Sequence, residues 1–174
     1  MPFSMSQASL PSFEISLNAL LAILDKAAAY AAAKKIDPPV LLHTRLFPNM
    51  LDLARQVQVA AHNAKNGSAR LAGIEPPRYE DNETTIDQLK ARLARTVAYL
   101  KTLDRKAIDS SADREITFPL GPTKKGHMKG DDYLNHFLLP NFHFHVTAAY
   151  AILRHYGFDI GKSDYFGAIP IKTT

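Results

Sequence analysis

The sequence contains no cysteine among its 174 residues. Disulfides and thiolate chemistry are thereby excluded, and Cys–His catalysis with them. No G-x-S-x-G turn is present, so the nucleophile elbow of many hydrolases is missing too. The opening MPFSMSQASLPSF has neither a basic n-region nor a long apolar run, which argues against a secretory signal. No stretch approaches the ~20 consecutive apolar residues of a membrane span. A cytoplasmic protein with no membrane partner is expected. Charge of one sign is also scarce: the net charge is +4, and Lys34-Lys35 and Lys124-Lys125 are basic doublets without interleaved aromatics. No nucleic-acid partner is expected from that pattern. Gly161-Lys162-Ser163 resembles the end of a phosphate-binding loop, but the first glycine of such a loop would fall on Tyr156, and a helix precedes it where a strand should.

What remains is an ordinary globular composition, 46% hydrophobic, long enough for one domain over 1–174 with a sizeable core. Leu17, Leu20, Leu21, Leu24, Ala28 and Ala31 form the apolar stripe of a helix over Ser12 to Ile36, with an earlier start near Ser4 left open. Asp37-Pro38-Pro39 stops it. Pro48 suits the first position of a second helix, whose small-residue stripe runs through Val57, Ala61 and Ala64 to a stop at Gly73. The polar connector from Gly73 to Thr84 reaches roughly 40 Å if extended, enough to run the length of a helix of about 37 Å. Helices two and three therefore need not be antiparallel. Thr85-Ile86-Asp87-Gln88 reads as a capping box for helix three, which Asp104 closes. Arg114 to Lys129 alternates around Gly121-Pro122 as a small hairpin. After Gly157 the tail is irregular, with Tyr165 and Phe166 packed on a helix.

The chain is organised around Asp131 to Tyr156, which holds His136, His143, His145 and His155 of its 7 histidines. Leu134, Leu138, Asn141, His145, Ala148 and Ile152 recur as one helical face. Pro140 should kink or break that helix near Phe137. His136 and His143, at a seven-residue step, should share another face. Four long amphipathic segments, one hairpin and no βαβ alternation give an all-α four-helix bundle.

Leu139-Pro-Asn-Phe-His-Phe-His145 followed by Ala148-Ala-Tyr-Ala-Ile-Leu-Arg-His-Tyr-Gly157 resembles an uncharacterised bacterial domain-of-unknown-function family within the DinB/YfiT-like superfamily. The likeness extends to Leu24-Asp25-Lys26-Ala27, Gln56-Val57-Gln58 and Arg70-Leu71-Ala72-Gly73. It implies an up-down-down-up bundle and a homodimer. Many DinB-like proteins hold a divalent metal with three histidines, one from helix two and a His-x-x-x-His pair from helix four. Here that pair falls on Asn141 and His145, and the helix-two position falls near Gln58. Neutral amide oxygens are poor ligands for zinc or nickel, so no metal or other cofactor is expected.

The candidate ligand-binding set is His145, Asn141, Gln58 and His62. Two readings stand side by side. In one, His145, Asn141 and Gln58 line a polar core site for a small molecule or partner. In the other, His145 is a buried histidine satisfied by those two amides. His62 lies one turn after Gln58, at the solvent edge. The alternative in function is a metal-dependent enzyme, a thiol transferase or hydrolase of the DinB-like type.

Overall fold

The computed structural model describes residues 4–172, so residues 1–3 and 173–174 of the expected domain lie outside the description. The described chain is mostly helical, with one small antiparallel sheet. Its first helix, α1 (Met5–Lys34), takes the earlier of the two starts. The Ser4 hydroxyl accepts from the Gln7 amide while the Gln7 side chain accepts from the Ser4 N–H, a reciprocal cap that Ser12 lacks. Pro11 sits inside the helix. Lys35 closes it in the left-handed region at φ 55°.

Length and composition alone would let α1 cross a membrane, contrary to the expectation above. Many of the apolar residues of that helix fill the core. Phe13, Leu17, Leu20 and Leu24 are all essentially inaccessible, and Phe13 meets Phe142 edge-on at 4.7 Å. Each such side chain contributes roughly 1.5–3 kcal/mol by leaving water.

A single turn, α2 (Pro38–Leu42), leads to α3 (Leu53–Ala72). The second long helix therefore begins well after Pro48. Asp52 decides this, because its carboxylate accepts from the Arg55 N–H at 3.0 Å and no such cap follows Pro48. Gly73 ends α3 at φ 74°, as expected. α4 (Ile86–Leu100) opens on the Thr85–Gln88 capping box. Asp104 does not close it; Asp104 caps the short α5 (Arg105–Asp109) by accepting from the Lys106 N–H at 2.9 Å.

The hairpin pairs β1 (Glu115–Leu120) with β2 (Lys124–Lys129), and it buries Ile116 and Phe118 on one side. It leads through α6 (Gly130–Asp132) into a π-helical turn (Tyr133–Leu138) and then α7 (Leu139–His155) without a break. Pro140 lacks the N–H that an α-helix would need here, and the wider turn before it replaces the expected kink. The same turn rotates what lies ahead of it. His136 is exposed beside Asp132, whereas His143 is half-buried with its Nε2 3.3 Å from the Ser12 hydroxyl, so the two do not share a face. The tail is not wholly irregular: α8 (Lys162–Phe166) docks on α1 through Lys26 and Asp164, 2.7 Å apart. Tyr165 packs on Tyr150 of α7, and Phe166 stays largely exposed.

Candidate functional site

α3 is buried around most of its circumference. One side packs on α7 and the π turn, running in the opposite direction. Gln56 there faces His145, Gly67 faces Leu138 and Arg70 reaches Tyr133. A second side packs on α4 and the connector over residues 73–85. Two polar clusters result, one on each side.

The first cluster is built on Gln56, which is 1% exposed. Its amide nitrogen donates to the Leu51 carbonyl at 3.1 Å. A carbonyl can only accept, so the amide oxygen is turned the other way, 2.7 Å from His145 Nδ1. An amide oxygen also can only accept. His145 Nδ1 must therefore carry the proton, and the Nε2 lone pair is left free. Burial pushes the His145 imidazole down to about 4, so it stays neutral at physiological pH. Among the described residues no side chain or backbone group partners Nε2. Asn141, one turn earlier, is half-buried. The exposed Phe144 ring stands edge-on to His145 at 5.2 Å. On α3, two turns beyond Gln56, Asn63 Nδ2 is buried without a protein partner. The cluster thus offers one fixed acceptor and spare amide capacity.

Gln58 does not join it. Two residues from Gln56 is more than half a turn, and this places Gln58 on the α4 side. There it donates to Glu83 Oε2 at 2.9 Å and accepts from Arg55 at 2.7 Å. His62, one turn on, stays on that side, at an exposed edge where Asn66 Nδ2 lies 2.8 Å from its Nε2. Burial, then the Lys65 and Arg70 charges, push its imidazole below the ordinary range. The four sequence candidates therefore separate into His145 with Asn141, and Gln58 with His62.

The second cluster escaped the sequence reading. Arg92, 2% exposed, gives one guanidinium nitrogen to Glu83 at 2.8 Å and to the Glu80 carbonyl at 2.9 Å, and another to Asp81 at 2.6 Å. Arg55 takes the other Asp81 oxygen at 2.6 Å. Burial opposes ionisation of Asp81, but Arg55 and Arg92 outweigh it and hold its carboxyl below the usual range. Lys65, also 2% exposed, donates to the Pro77 carbonyl and lies over the Tyr79 ring at 4.1 Å. Burial, then Arg92 and Arg95, lower its ammonium to about 8. A signal did exist: Arg92 interrupts the Leu89–Leu93–Thr96 face of α4, and a buried cation there needs the acids of the connector.

The metal that the resemblance implies does not fit this donor set. The position facing His145 is Gln56, whose oxygen already accepts the His145 N–H, and Asn141 supplies a second neutral amide. Among the described residues no group of three or more His, Cys, Asp or Glu gathers as metal ligands do.

A description named DUF1993, a domain of unknown function, matches residues 5–166. A DinB family member protein from Shewanella denitrificans has a solved structure similar to this one, with a TM-score of 0.89 at 38% identity over 97% of this chain and 95% of that one. No curated protein matches. With the match spanning α1 to α8, this chain belongs to the DUF1993 family and shares its fold with a DinB family member.

Proposed function

We propose that this protein is a metal-free, DinB-like up-down-down-up four-helix bundle, one cytoplasmic domain over 1–174, that binds a small molecule at His145. The bundle consists of α1, α3, α4 and the π turn with α7. The observation that carries the reading is the chain Leu51–Gln56–His145, which fixes a neutral imidazole with a free Nε2. Fixing a tautomer is what a binding or proton-accepting site requires. His145 is only partly buried, so its Nε2 is open to an incoming group rather than tied up in the core. The ligand in this reading brings a hydroxyl or N–H to Nε2, an acceptor or donor to Asn141, and an apolar part to Phe144. Gln56 takes the place given to Gln58 in the sequence expectation.

The second reading is a divalent-metal-dependent thiol transferase or hydrolase. It draws on the same free Nε2 and would need ligands beyond the amides beside it. One experiment separates the two. Tag-free protein is analysed for metal, then screened by thermal shift against neutral hydroxyl- and amide-bearing compounds, alongside His145→Ala. The first reading expects no stoichiometric metal and stabilisation of wild type only. One tightly held equivalent of zinc or nickel, lost in His145→Ala, would replace it with the second.

A homodimer belongs to the same proposal. Ala28 and Ala32 line an open apolar groove with Ile36, Pro38 and Ile86, whereas the alanines of α3 are used up inside the protomer. Light scattering giving the monomer mass across a wide concentration range would remove the dimer from the proposal.

A further inference from the structure

The connector cluster is out of charge balance. Arg55, Arg92, Arg95 and Lys65 supply the cations, and Asp81 and Glu83 the carboxylates that pair with them, while the Glu80 carboxylate accepts from Asn82. All four oxygens of Asp81 and Glu83 are taken. Asp81 accepts from Arg92 and Arg55, both at 2.6 Å; Glu83 accepts from Arg92 at 2.8 Å and Gln58 at 2.9 Å. Among the described residues no carboxylate pairs with Arg95, whose guanidinium lies on the Tyr79 ring at 3.6 Å. Nothing anionic reaches Lys65 either, which has only the neutral Pro77 carbonyl. Arg92 Nε is buried with no protein partner.

Of these groups, Arg92, Arg95 and Glu83 border a groove of about 250 Å³, together with Asn82, Gln88 and Ala91; Lys65 shares the Tyr79 ring with Arg95 beside it. The Gln88 amide oxygen is committed to Thr84 and Thr85, so its NH₂ is free to donate. Cations crowded on one aromatic face repel each other, and Lys65, whose basicity burial lowers first, is lowered further by Arg92 and Arg95.

We propose that this groove binds the phosphoryl group of a phosphate monoester, with Arg95 as its charge partner and Arg92 and Gln88 as donors. Arg95 brings a charge that no carboxylate compensates, and Arg92 adds a buried, unpartnered Nε–H. Planar guanidinium forks match tetrahedral phosphate oxygens better than a point charge does. Arg95 is exposed and open to an incoming anion, whereas Arg92 is rigidly held below it. The site is separate from His145 and does not rest on the function proposed there.

The test follows the Lys65 side chain by NMR with 13Cε-labelled lysine at constant ionic strength. Phenyl phosphate and inorganic phosphate are titrated against chloride. Expected is a saturable rise of the Lys65 titration midpoint above about 8 with either phosphate and none with chloride. Arg95→Gln should weaken binding at least about tenfold, since a charge-assisted contact is lost. Arg95→Lys should recover part of it. Arg95 is exposed, so neither variant endangers folding. Vesicles bearing a phosphomonoester headgroup form a second arm. Co-sedimentation lost in Arg95→Gln names a lipid as carrier of the group, and binding of phenyl phosphate alone names a soluble one. A Lys65 midpoint unmoved by phosphate, moved equally by chloride, or moved equally in Arg95→Gln overturns the proposal.

Discussion

A Cβ atom on Gly67 would lie 2.3 Å from Leu138 Cδ1 and 2.9 Å from its Cγ. This glycine sets how closely α3 approaches the π turn. Leu138 is 1% exposed and cannot swing into solvent. Gly67→Ala should gain up to about 1 kcal/mol of helix propensity but lose roughly 1–3 kcal/mol to overpacking. We expect a net loss of stability by urea denaturation, and a Leu138→Ala background that abolishes it. A stabilised single variant would refute the close approach.

The Gln56 amide orientation makes a prediction about a proton. In wild type, 15N NMR of the His145 ring should show the Nδ1–H tautomer at neutral pH. Gln56→Leu removes the acceptor, so the ring should revert toward the Nε2–H form that free histidine prefers. Gln56→Glu should raise the His145 midpoint from about 4, because a carboxylate then faces the imidazole. An Nε2–H tautomer in wild type would undo the chain through Leu51.

Stability should fall on mild acidification. Burial keeps His143 and His145 below the ordinary histidine value of 6.5. The unfolded chain takes up these protons near 6.5, while folded His145 resists until about 4. Their contribution is fully present above pH 6.5 and is lost as the pH falls from there toward 4. The His145 part is on the order of 3 kcal/mol. The carboxyls held low, Asp81, Asp109 and Asp164, lose their share only below their ordinary 3.8. Urea midpoints at pH 7, 5.5 and 4.5 should decline, with a shallower slope in His145→Gln.

The connector depends on one buried pair. Glu83→Ala leaves the 2% exposed Arg92 with half its ion pairs and frees the Gln58 amide. Breaking a buried pair from one side costs about 3–5 kcal/mol, and the surviving Asp81 contact puts this case at the low end. Limited proteolysis should then cut within Pro76–Asp81. The double change Glu83→Leu with Arg92→Met should recover most of the stability. An uncut connector in Glu83→Ala would show that Tyr79 and Pro77 hold it unaided.

Caps and periodicity carry much of the fold into the sequence. The Thr85–Gln88 box, the stop at Gly73 and the alternation of Ile116 with Phe118 are local signals, and each appears where its chemistry demands. Asp52 and Asp104 mark helix starts equally well, but a proline competes with the first and the end of α4 with the second. The choice between Gln56 and Gln58 is of another kind. Both amides are buried, at 1% and 3% exposure, because α3 is enclosed by neighbours on several sides. An apolar stripe names one inward direction, and this helix has more than one. Which neighbour receives which amide depends on the packing of α4 and α7, which no local pattern records. Arg92 was hidden for a related reason, since its partners lie on an irregular connector that only the fold brings close.

The π turn ahead of Pro140 works like a shift of reading frame. One surplus residue advances everything upstream by about 100° around the axis relative to a plain α-helix. Tyr133 and Phe137 consequently turn together toward Phe118, with ring centres 4.9 Å and 4.3 Å from it, and the hairpin is stapled to the helix. Deleting a single residue between Tyr133 and Leu138 would leave α7 and His145 where they are while swinging that aromatic staple away from the strand. The hairpin's attachment can thus be altered by a change in count alone, with no alteration of composition in the helix that carries His145.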